Sequence, residues 1–218
     1  MSIFWNVLGR MFTNRRPVGT PTTGQQSAKS NFEVERKFRL EKNEYAAIEQ
    51  RLNELGFEAD ATVEMTDYFL PTRVDGEMHR VRDEAQAGNK ITVVTIKDWV
   101  EIAGGRERRE LEDGIGRLAR FVLLLVGRSL RGSKLLSFSK RRIPHTNPNE
   151  LGVVIALDTV FGLGKLSGPY VEIEVLVPQN GDVEAARRKI SELARALFTD
   201  DREFVKASYQ DMLKQASK

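Results

Sequence analysis

Hydrophobic and charged residues alternate along much of the chain from residue 31 onward. Successive side chains of a β-strand point to opposite faces, so this alternation predicts strands with one apolar and one charged face. Segments 31–40 and 170–177 show it most clearly. Their charged positions, two residues apart, are Glu33, Glu35, Lys37, Arg39, Glu172 and Glu174. Arg36 is the one charged residue on the apolar side of the first segment.

The same spacing recurs in four further short segments, at Arg80 and Arg82, at Thr95 and Lys97, at Arg108, Glu110 and Glu112, and at Lys140 and Arg142. A solvated outer face also produces alternation, but it normally mixes Lys, Thr, Gln and Ser. Here the polar faces are almost purely Glu, Arg and Lys. We therefore favour a convergent charged site, inside a barrel or deeply cupped sheet with an apolar coat.

Four segments have helical periodicity: 43–55, 115–130, 182–198 and 201–215. Gly56 is suited to end the first helix, and Asp182 to cap the start of the third. The third carries an apolar stripe of Val183, Ala186, Ile190, Leu193 and Leu197. The fold class is therefore α+β, with helices that cover the apolar face of the sheet.

Residues 1–30 differ from the rest of the chain. Segment 13–30 has the Gly, Pro, Thr and Ser content of a linker, and the first twelve residues are apolar and aromatic. We predict a flexible arm over 1–30 and a folded domain over 31–218. A frayed terminus is the favoured interpretation of the first twelve residues; weak contact with a membrane surface or a partner is the alternative.

Composition and charge exclude several kinds of site and partner. The 218 residues suit one domain, and the absence of cysteine excludes disulfides, thiolate metal sites and a cysteine nucleophile. Four bases and no acid give the arm a net charge of +4, whereas the remaining 30 bases and 31 acids nearly cancel. We therefore expect no nucleic-acid partner. No apolar run is long enough to span a membrane, and we expect a cytoplasmic protein.

The predicted lumen would hold acids and bases together. Carboxylate oxygens suit hard divalent cations such as Mg²⁺ or Mn²⁺, and clustered Arg and Lys suit a polyanion. Metal and many cations in one cavity point to a small-molecule triphosphate, because a single phosphate would not need so many.

The strand motifs resemble those of the CYTH superfamily, the triphosphate tunnel metalloenzymes. The motifs, in order, are Glu33-Val-Glu35-Arg-Lys37, Thr66-Asp67-Tyr68-Phe69, His79-Arg80-Val81-Arg82, Thr95-Ile96-Lys97, Arg108-Arg109-Glu110-Leu111-Glu112 and Lys140-Arg141-Arg142. The late segment from Leu157 to Gly164, with Glu172-Ile173-Glu174 and the closing Ser208-Tyr209, is similar to class IV adenylate cyclases. The resemblance covers about 31–213.

The resemblance implies an eight-stranded antiparallel tunnel and a set of site residues. The metal ligands would be Glu33, Glu35, Glu110, Glu112, Asp158, Glu172 and Glu174. The triphosphate would be held by Lys37, Arg80, Arg82, Lys97, Arg108, Lys140 and Arg142. Lys140 and Lys37 are the candidate catalytic groups, with Lys140 as a general base.

Three functions are consistent with these residues. The first is a class IV cyclase that converts ATP to cyclic AMP and pyrophosphate. The alternative is a phosphohydrolase acting on inorganic triphosphate or on a nucleoside or thiamine triphosphate. A binding module without catalysis is the third, and the intact E-x-E and R-x-R motifs count against it.

Overall fold

The computed structural model of the protein describes residues 31–72, 77–102, 105–131, 135–178 and 181–216. Side chains are described for the same residues except 31, 32, 98–111 and 131. The predicted arm over 1–30 lies outside the described residues.

The strands of the described part form a closed antiparallel ring. They are β1 (Asn31–Arg39), β2 (Glu58–Ala59), β3 (Val63–Leu70), β4 (Met78–Gln86), β5 (Asn89–Ile102), β6 (Gly105–Gly114), β7 (Leu136–Thr146), β8 (Val153–Phe161) and β9 (Gly168–Pro178). Neighbours pair in the order β7-β3-β4-β5-β6-β1-β9-β8, and β8 pairs again with β7. The short β2 only adds to β7. The predicted eight-stranded antiparallel barrel is confirmed.

Four α-helices accompany the described strands: α1 (Tyr45–Glu54), α2 (Arg117–Arg131), α3 (Val183–Leu197) and α4 (Tyr209–Ala216). A short 3₁₀ turn, Gly164–Leu166, connects β8 to β9. Within the described ranges, no helix has both the length and the apolar character that a membrane crossing requires.

Two helix ends follow the predicted local chemistry. Helix α1 ends just before Gly56, whose φ of 78° is in the left-handed region that glycine adopts without strain. The amide of the next residue, Phe57, then donates to the carbonyl of Leu52. At the start of α3, Asp182 Oδ1 accepts a hydrogen bond of 2.9 Å from the amide of Ala185.

The main core lies outside the barrel, as the alternation predicted. Helices α1 and α3 pack against the outward residues of β1, β8 and β9. This core includes Val34, Phe38, Ile155, Leu157, Val171 and Ile173 from the strands, with Ile48, Leu52, Ile190, Leu193 and Leu197 from the helices. On the other side, Leu123 of α2 packs on Leu70, Val81 and Val94. Burial of these side chains drives the closure of the charged face on itself.

Helix α4 differs from the prediction in length and in position. It begins at Tyr209 rather than at residue 201, with Ser208 and Asp211 hydrogen-bonded reciprocally at its start. The preceding residues, 201–207, are in neither a helix nor a strand, and the amide of Val205 donates to the carbonyl of Lys37. Met212 and Leu213 pack against lumen-facing residues of the strands, namely Phe69, Met78, Phe138, Val160 and Tyr170. Helix α4 therefore covers one end of the tunnel instead of joining the outer coat.

Candidate active site

Strand register brings the predicted charged residues to the inner face of the barrel. Glu35 lies opposite Glu174 across β1 and β9, and Lys37 lies opposite Glu172. Residues directly opposite each other in a sheet share a face. Three more pairs continue the inner face around the ring: Arg80 with Thr95, Thr95 with Glu112, and Arg142 with Asp158.

Three glutamates form a compact carboxylate group between β1 and β9. One oxygen from each of Glu33, Glu35 and Glu174 lies within 4.8 Å of the other two. Burial, together with the nearby Glu33, Glu172 and Glu35, raises the pKa of Glu174 to about 8 although Arg142 opposes it. A site of half-buried carboxylate oxygens from three glutamates fits a hard divalent cation such as Mg²⁺ or Mn²⁺. Among the described residues this is the only group of acids or histidines close enough to share an ion.

A dense ion-pair cluster lies deeper in the tunnel, around Arg142. Asp158 is fully buried, and its oxygens accept from Arg142 Nε at 2.8 Å and Nη2 at 2.9 Å. The same carboxylate accepts from Lys140 Nζ at 2.7 Å. Arg142 also contacts Glu172, and its Nη1 donates to Glu174 at 2.8 Å. Arg142 thus connects this cluster to the carboxylate group.

Glu172 is the anionic centre of the cluster. Its oxygens lie 3.5 Å from Lys140 Nζ and 3.8 Å from Lys37 Nζ. Burial alone would raise the pKa of Glu172, but the surrounding Lys140, Arg142 and Lys37 hold it well below its usual range. Buried charges persist only when they are paired in this way.

A second cationic cluster lies on β4, which is separated from β7 by β3 alone. Arg82 donates to both oxygens of Asp67, from Nε at 2.6 Å and from Nη2 at 2.9 Å. Arg80 Nη1 lies 3.6 Å from the same carboxylate, and its Nη2 donates to Thr95 at 3.0 Å and to Glu112 at 3.2 Å. Burial opposes ionisation of Asp67, yet the two arginines lower its pKa to about 2.

Asp67 belongs to the site although the sequence did not single it out. It is 2% exposed and lies inside the barrel beside two predicted phosphate-binding arginines. The available signal was Thr66-Asp67-Tyr68-Phe69 itself, in which Asp67 alternates with the outward Tyr68.

The predicted β6 residues are only partly within the described structure. Lys97 Nζ donates to Glu33 Oε2 at 3.3 Å, which joins β5 to the carboxylate group. The backbone pairs Glu110 with Lys97 and Arg108 with Glu33. The side chains of Arg108 and Glu110 lie outside the described residues, and their roles stay predictions.

The predicted metal ligands therefore occupy different surroundings. Glu33, Glu35 and Glu174 come together, with Lys97 bonded to Glu33 and Arg142 to Glu174, whereas Asp158, Glu172 and Glu112 lie outside this group and contact cationic side chains. A ligand role stays a prediction for all six acids; in the structure Asp158, Glu172 and Glu112 contact the phosphate-binding candidates.

Tyr209 of helix α4 is a further residue of the site. The centroid of its ring lies 3.8 Å from Lys37 Nζ and 5.2 Å from Lys140 Nζ. Its hydroxyl donates to Asp158 Oδ2 at 3.4 Å. Burial, with Glu172 and Asp158 nearby, raises the pKa of Tyr209 well above its usual value. The phenol therefore stays neutral, and its ring forms cation–π contacts with both candidate catalytic lysines.

Comparison with known proteins now defines the class of this fold and site. The model of the CYTH domain family matches residues 31–209. The chain belongs to the CYTH family, whose members are triphosphate-processing enzymes. The resemblance of the strand motifs is thereby confirmed. Comparison with curated protein sequences gives no significant match.

Solved structures of other proteins share the fold. The PH1819 protein of Pyrococcus horikoshii OT3 is 25% identical, with a TM-score of 0.65, and the match covers 84% of this chain and 99% of that one. A candidate adenylate cyclase of Vibrio parahaemolyticus is 19% identical, with a TM-score of 0.64, and covers 85% and 99%. A candidate adenylyl cyclase of Hippeastrum, HpAC1, described as having a dominant triphosphatase activity, is 16% identical, with a TM-score of 0.53, and covers 85% and 95%.

Proposed function

We propose that this chain is a divalent-metal-dependent enzyme that binds a linear triphosphate in its tunnel and breaks a phosphoanhydride bond. The observation that carries the proposal is the position of three clustered carboxylates beside a ring of buried cations. The cations with described side chains are Lys37, Arg80, Arg82, Lys97, Lys140 and Arg142.

The cations lie on four strands of the ring, β1, β4, β5 and β7, so they can contact a phosphate chain from several directions. Arg80 and Arg82 lie on β4, while Lys140 and Arg142 lie on β7. Arginine forks fit phosphate oxygens in pairs, and lysine supplies a point charge. The carboxylates Asp67 and Asp158 hold these side chains in place before substrate arrives. Preorganised cations of this kind stabilise the charge that develops in phosphoryl transfer.

Glu33, Glu35 and Glu174 would hold the metal, and the donor set fits Mg²⁺ or Mn²⁺. When bound, such a metal supplies charge neutralisation to the phosphate oxygens and lowers the pKa of a coordinated nucleophile. The chain's own part is to orient the phosphates and to exclude water at the end covered by helix α4. Lys140, ion-paired with Asp158, and Lys37 are the proposed catalytic cations beside the reacting phosphate.

Two reactions fit this machinery. In a class IV cyclase reaction the ribose 3′-hydroxyl attacks the α-phosphorus of ATP, and pyrophosphate leaves with the bond electrons. The similarity of the late segment and of the Ser208-Tyr209 helix to class IV cyclases favours this reaction. In the hydrolytic alternative, water attacks the terminal phosphorus, orthophosphate forms, and the remaining diphosphate leaves with the electrons of the phosphoanhydride bond. The Hippeastrum neighbour described as a triphosphatase lends it fold-level support.

Product analysis tests the proposal and separates the reactions. The full chain is incubated with Mg²⁺ and either ATP or inorganic triphosphate, and products are identified by ³¹P NMR. Cyclic AMP with pyrophosphate indicates the cyclase, and orthophosphate indicates the hydrolase. If neither substrate is consumed although triphosphate binds, the chain is a binding module and the catalytic proposal is wrong.

A further inference from the structure

Helix α2 carries an apolar stripe on its outward side that no described residue covers. Of the eleven large hydrophobic residues that the described part leaves exposed, five lie on this one helix. They are Leu118 (78% exposed), Phe121 (60%), Val122 (38%), Leu125 (55%) and Leu130 (55%). The first four are spaced i, i+3, i+4 and i+7, so they form one continuous stripe. Concentration of exposed apolar side chains on one surface helix marks an interaction surface.

The helix is also apolar on the side that packs on the barrel. Leu123 is 2% exposed and lies against Leu70, Val81 and Val94. The outward stripe is therefore additional to what the fold requires of this helix. The packed side, with Arg120 paired to Asp83 at 2.7 Å, holds the helix rigidly in place and leaves the stripe facing solvent.

The net positive charge of helix α2 indicates which kind of partner would bind its apolar stripe. Within Arg117–Arg131 there are four arginines and no acidic residue. Arg117 and Arg128 are exposed at the border of the stripe. An amphipathic helix with an apolar face and a basic border is suited to an anionic membrane surface, into which the apolar residues insert while the arginines contact lipid phosphates.

Two other possible occupants of the stripe, a second copy of the chain and the apolar segment at its start, fit less well. A second copy of the chain would place two such basic helices against each other. The apolar segment at the start of the chain belongs to an arm with a net charge of +4, which the arginines would repel. An anionic bilayer has the opposite charge and the required apolar interior. We propose that helix α2 is a membrane-surface docking site, with the outward stripe seated in the headgroup region of an anionic leaflet.

Vesicle sedimentation of the full chain tests this site. The probes are vesicles of phosphatidylcholine alone and vesicles containing about 30% phosphatidylserine. We expect the chain to pellet with the anionic vesicles and about fivefold less with neutral ones. The Phe121→Ser/Leu125→Ser variant should lose about tenfold in partitioning, because two inserted side chains are removed. Both residues are exposed, so thermal melts should show that the variant remains folded.

Two further variants make the result decisive. Leu151→Ser is the matched control, because Leu151 is 89% exposed and lies between β7 and β8, away from α2. It should bind as the unchanged protein does. Arg117→Gln/Arg128→Gln should lose binding to anionic vesicles only, which provides a second readout. Binding that survives all substitutions in α2 would assign it to the arm and overturn the proposal. Failure to bind either vesicle also overturns it, as would a stripe-dependent dimer in sedimentation velocity without vesicle binding.

Discussion

Replacing Asp158 by Asn separates a positioning role from a metal-ligand role for this buried carboxylate. The substitution keeps the volume but removes the charge that faces Lys140 and Arg142 at 2.7–2.9 Å. Breaking a buried ion pair from one side typically costs about 3–5 kcal/mol. Here Lys140 keeps Glu172, and Arg142 keeps Glu172 and Glu174, so we expect the lower end, about 3 kcal/mol.

That loss is large enough to measure by thermal unfolding. For a chain of this size, 1 kcal/mol corresponds to roughly 2–4 °C in Tm, so Asp158→Asn should lower Tm by about 6–12 °C. Asp158 contacts Lys140 and Arg142 rather than the Glu33, Glu35 and Glu174 group, and only Arg142 links it to Glu174, so Mn²⁺ affinity measured by calorimetry should fall by less than about tenfold. Asp201→Asn, at an exposed position, is the control and should change neither quantity. A tenfold or larger loss of Mn²⁺ affinity with an unchanged Tm would refute the reasoning and make Asp158 a ligand.

Three other predictions concern the same tunnel. Triphosphate should raise Tm, and more so with Mg²⁺, since a ligand at a hundredfold excess over Kd stabilises by about 2.7 kcal/mol; an equal shift with orthophosphate would indicate a nonspecific basic surface. Tyr209→Phe should bind triphosphate within about threefold of the unchanged protein, while Tyr209→Leu should bind about tenfold more weakly because Lys37 loses its aromatic support; equal Kd values in calorimetry would contradict this. Asp67 has its pKa lowered to about 2, so its contribution to stability, about 2 kcal/mol, is present above the unfolded pKa near 3.8 and is lost as the pH falls through about 2. In urea unfolding, the free energy of unfolding should fall less with decreasing pH in Asp67→Asn than in the unchanged protein. An identical pH dependence in both proteins would count against the prediction.

The faces of the strands were predictable because their chemistry repeats with period two. In β1 every second residue from Glu33 to Arg39 is charged, in β9 Glu172 and Glu174 are, and alternate residues of both strands supply the outer core. Even the exception is explained by the structure: Arg36 faces outward and lies over the ring of Phe204, 4.9 Å from its centroid. An arginine stacked on an aromatic ring is tolerated on an apolar face.

Which acids would share a metal could not be predicted from spacing. All the candidate acids lie on the inner face, and their position along the tunnel depends on strand register. Register brings Glu35 opposite Glu174 but Asp158 opposite Arg142. Only this offset divides the acids into a carboxylate group and a set of partners for the cations.

The first residue and the position of helix α4 also could not be predicted from the local sequence pattern. Residues 201–215 have an apolar periodicity, but the first half is held by contacts distant in sequence. Arg202 donates to both oxygens of Glu44, at 2.9 and 2.6 Å, and Val205 bonds to β1. These interactions compete with helix formation until Ser208 caps the chain. The placement of Tyr209 under the lysines follows from this path.

The most direct test of the account is metal-dependent turnover in Glu35→Gln and Glu174→Gln. Each substitution removes one carboxylate ligand from the group and almost no volume. At saturating Mg²⁺, with ATP and inorganic triphosphate offered separately, the unchanged protein should consume at least one of them. Both variants should fall to background while their circular dichroism spectra stay native. Turnover at the unchanged rate in either folded variant would contradict the assignment of this tunnel as a metal-dependent triphosphate site.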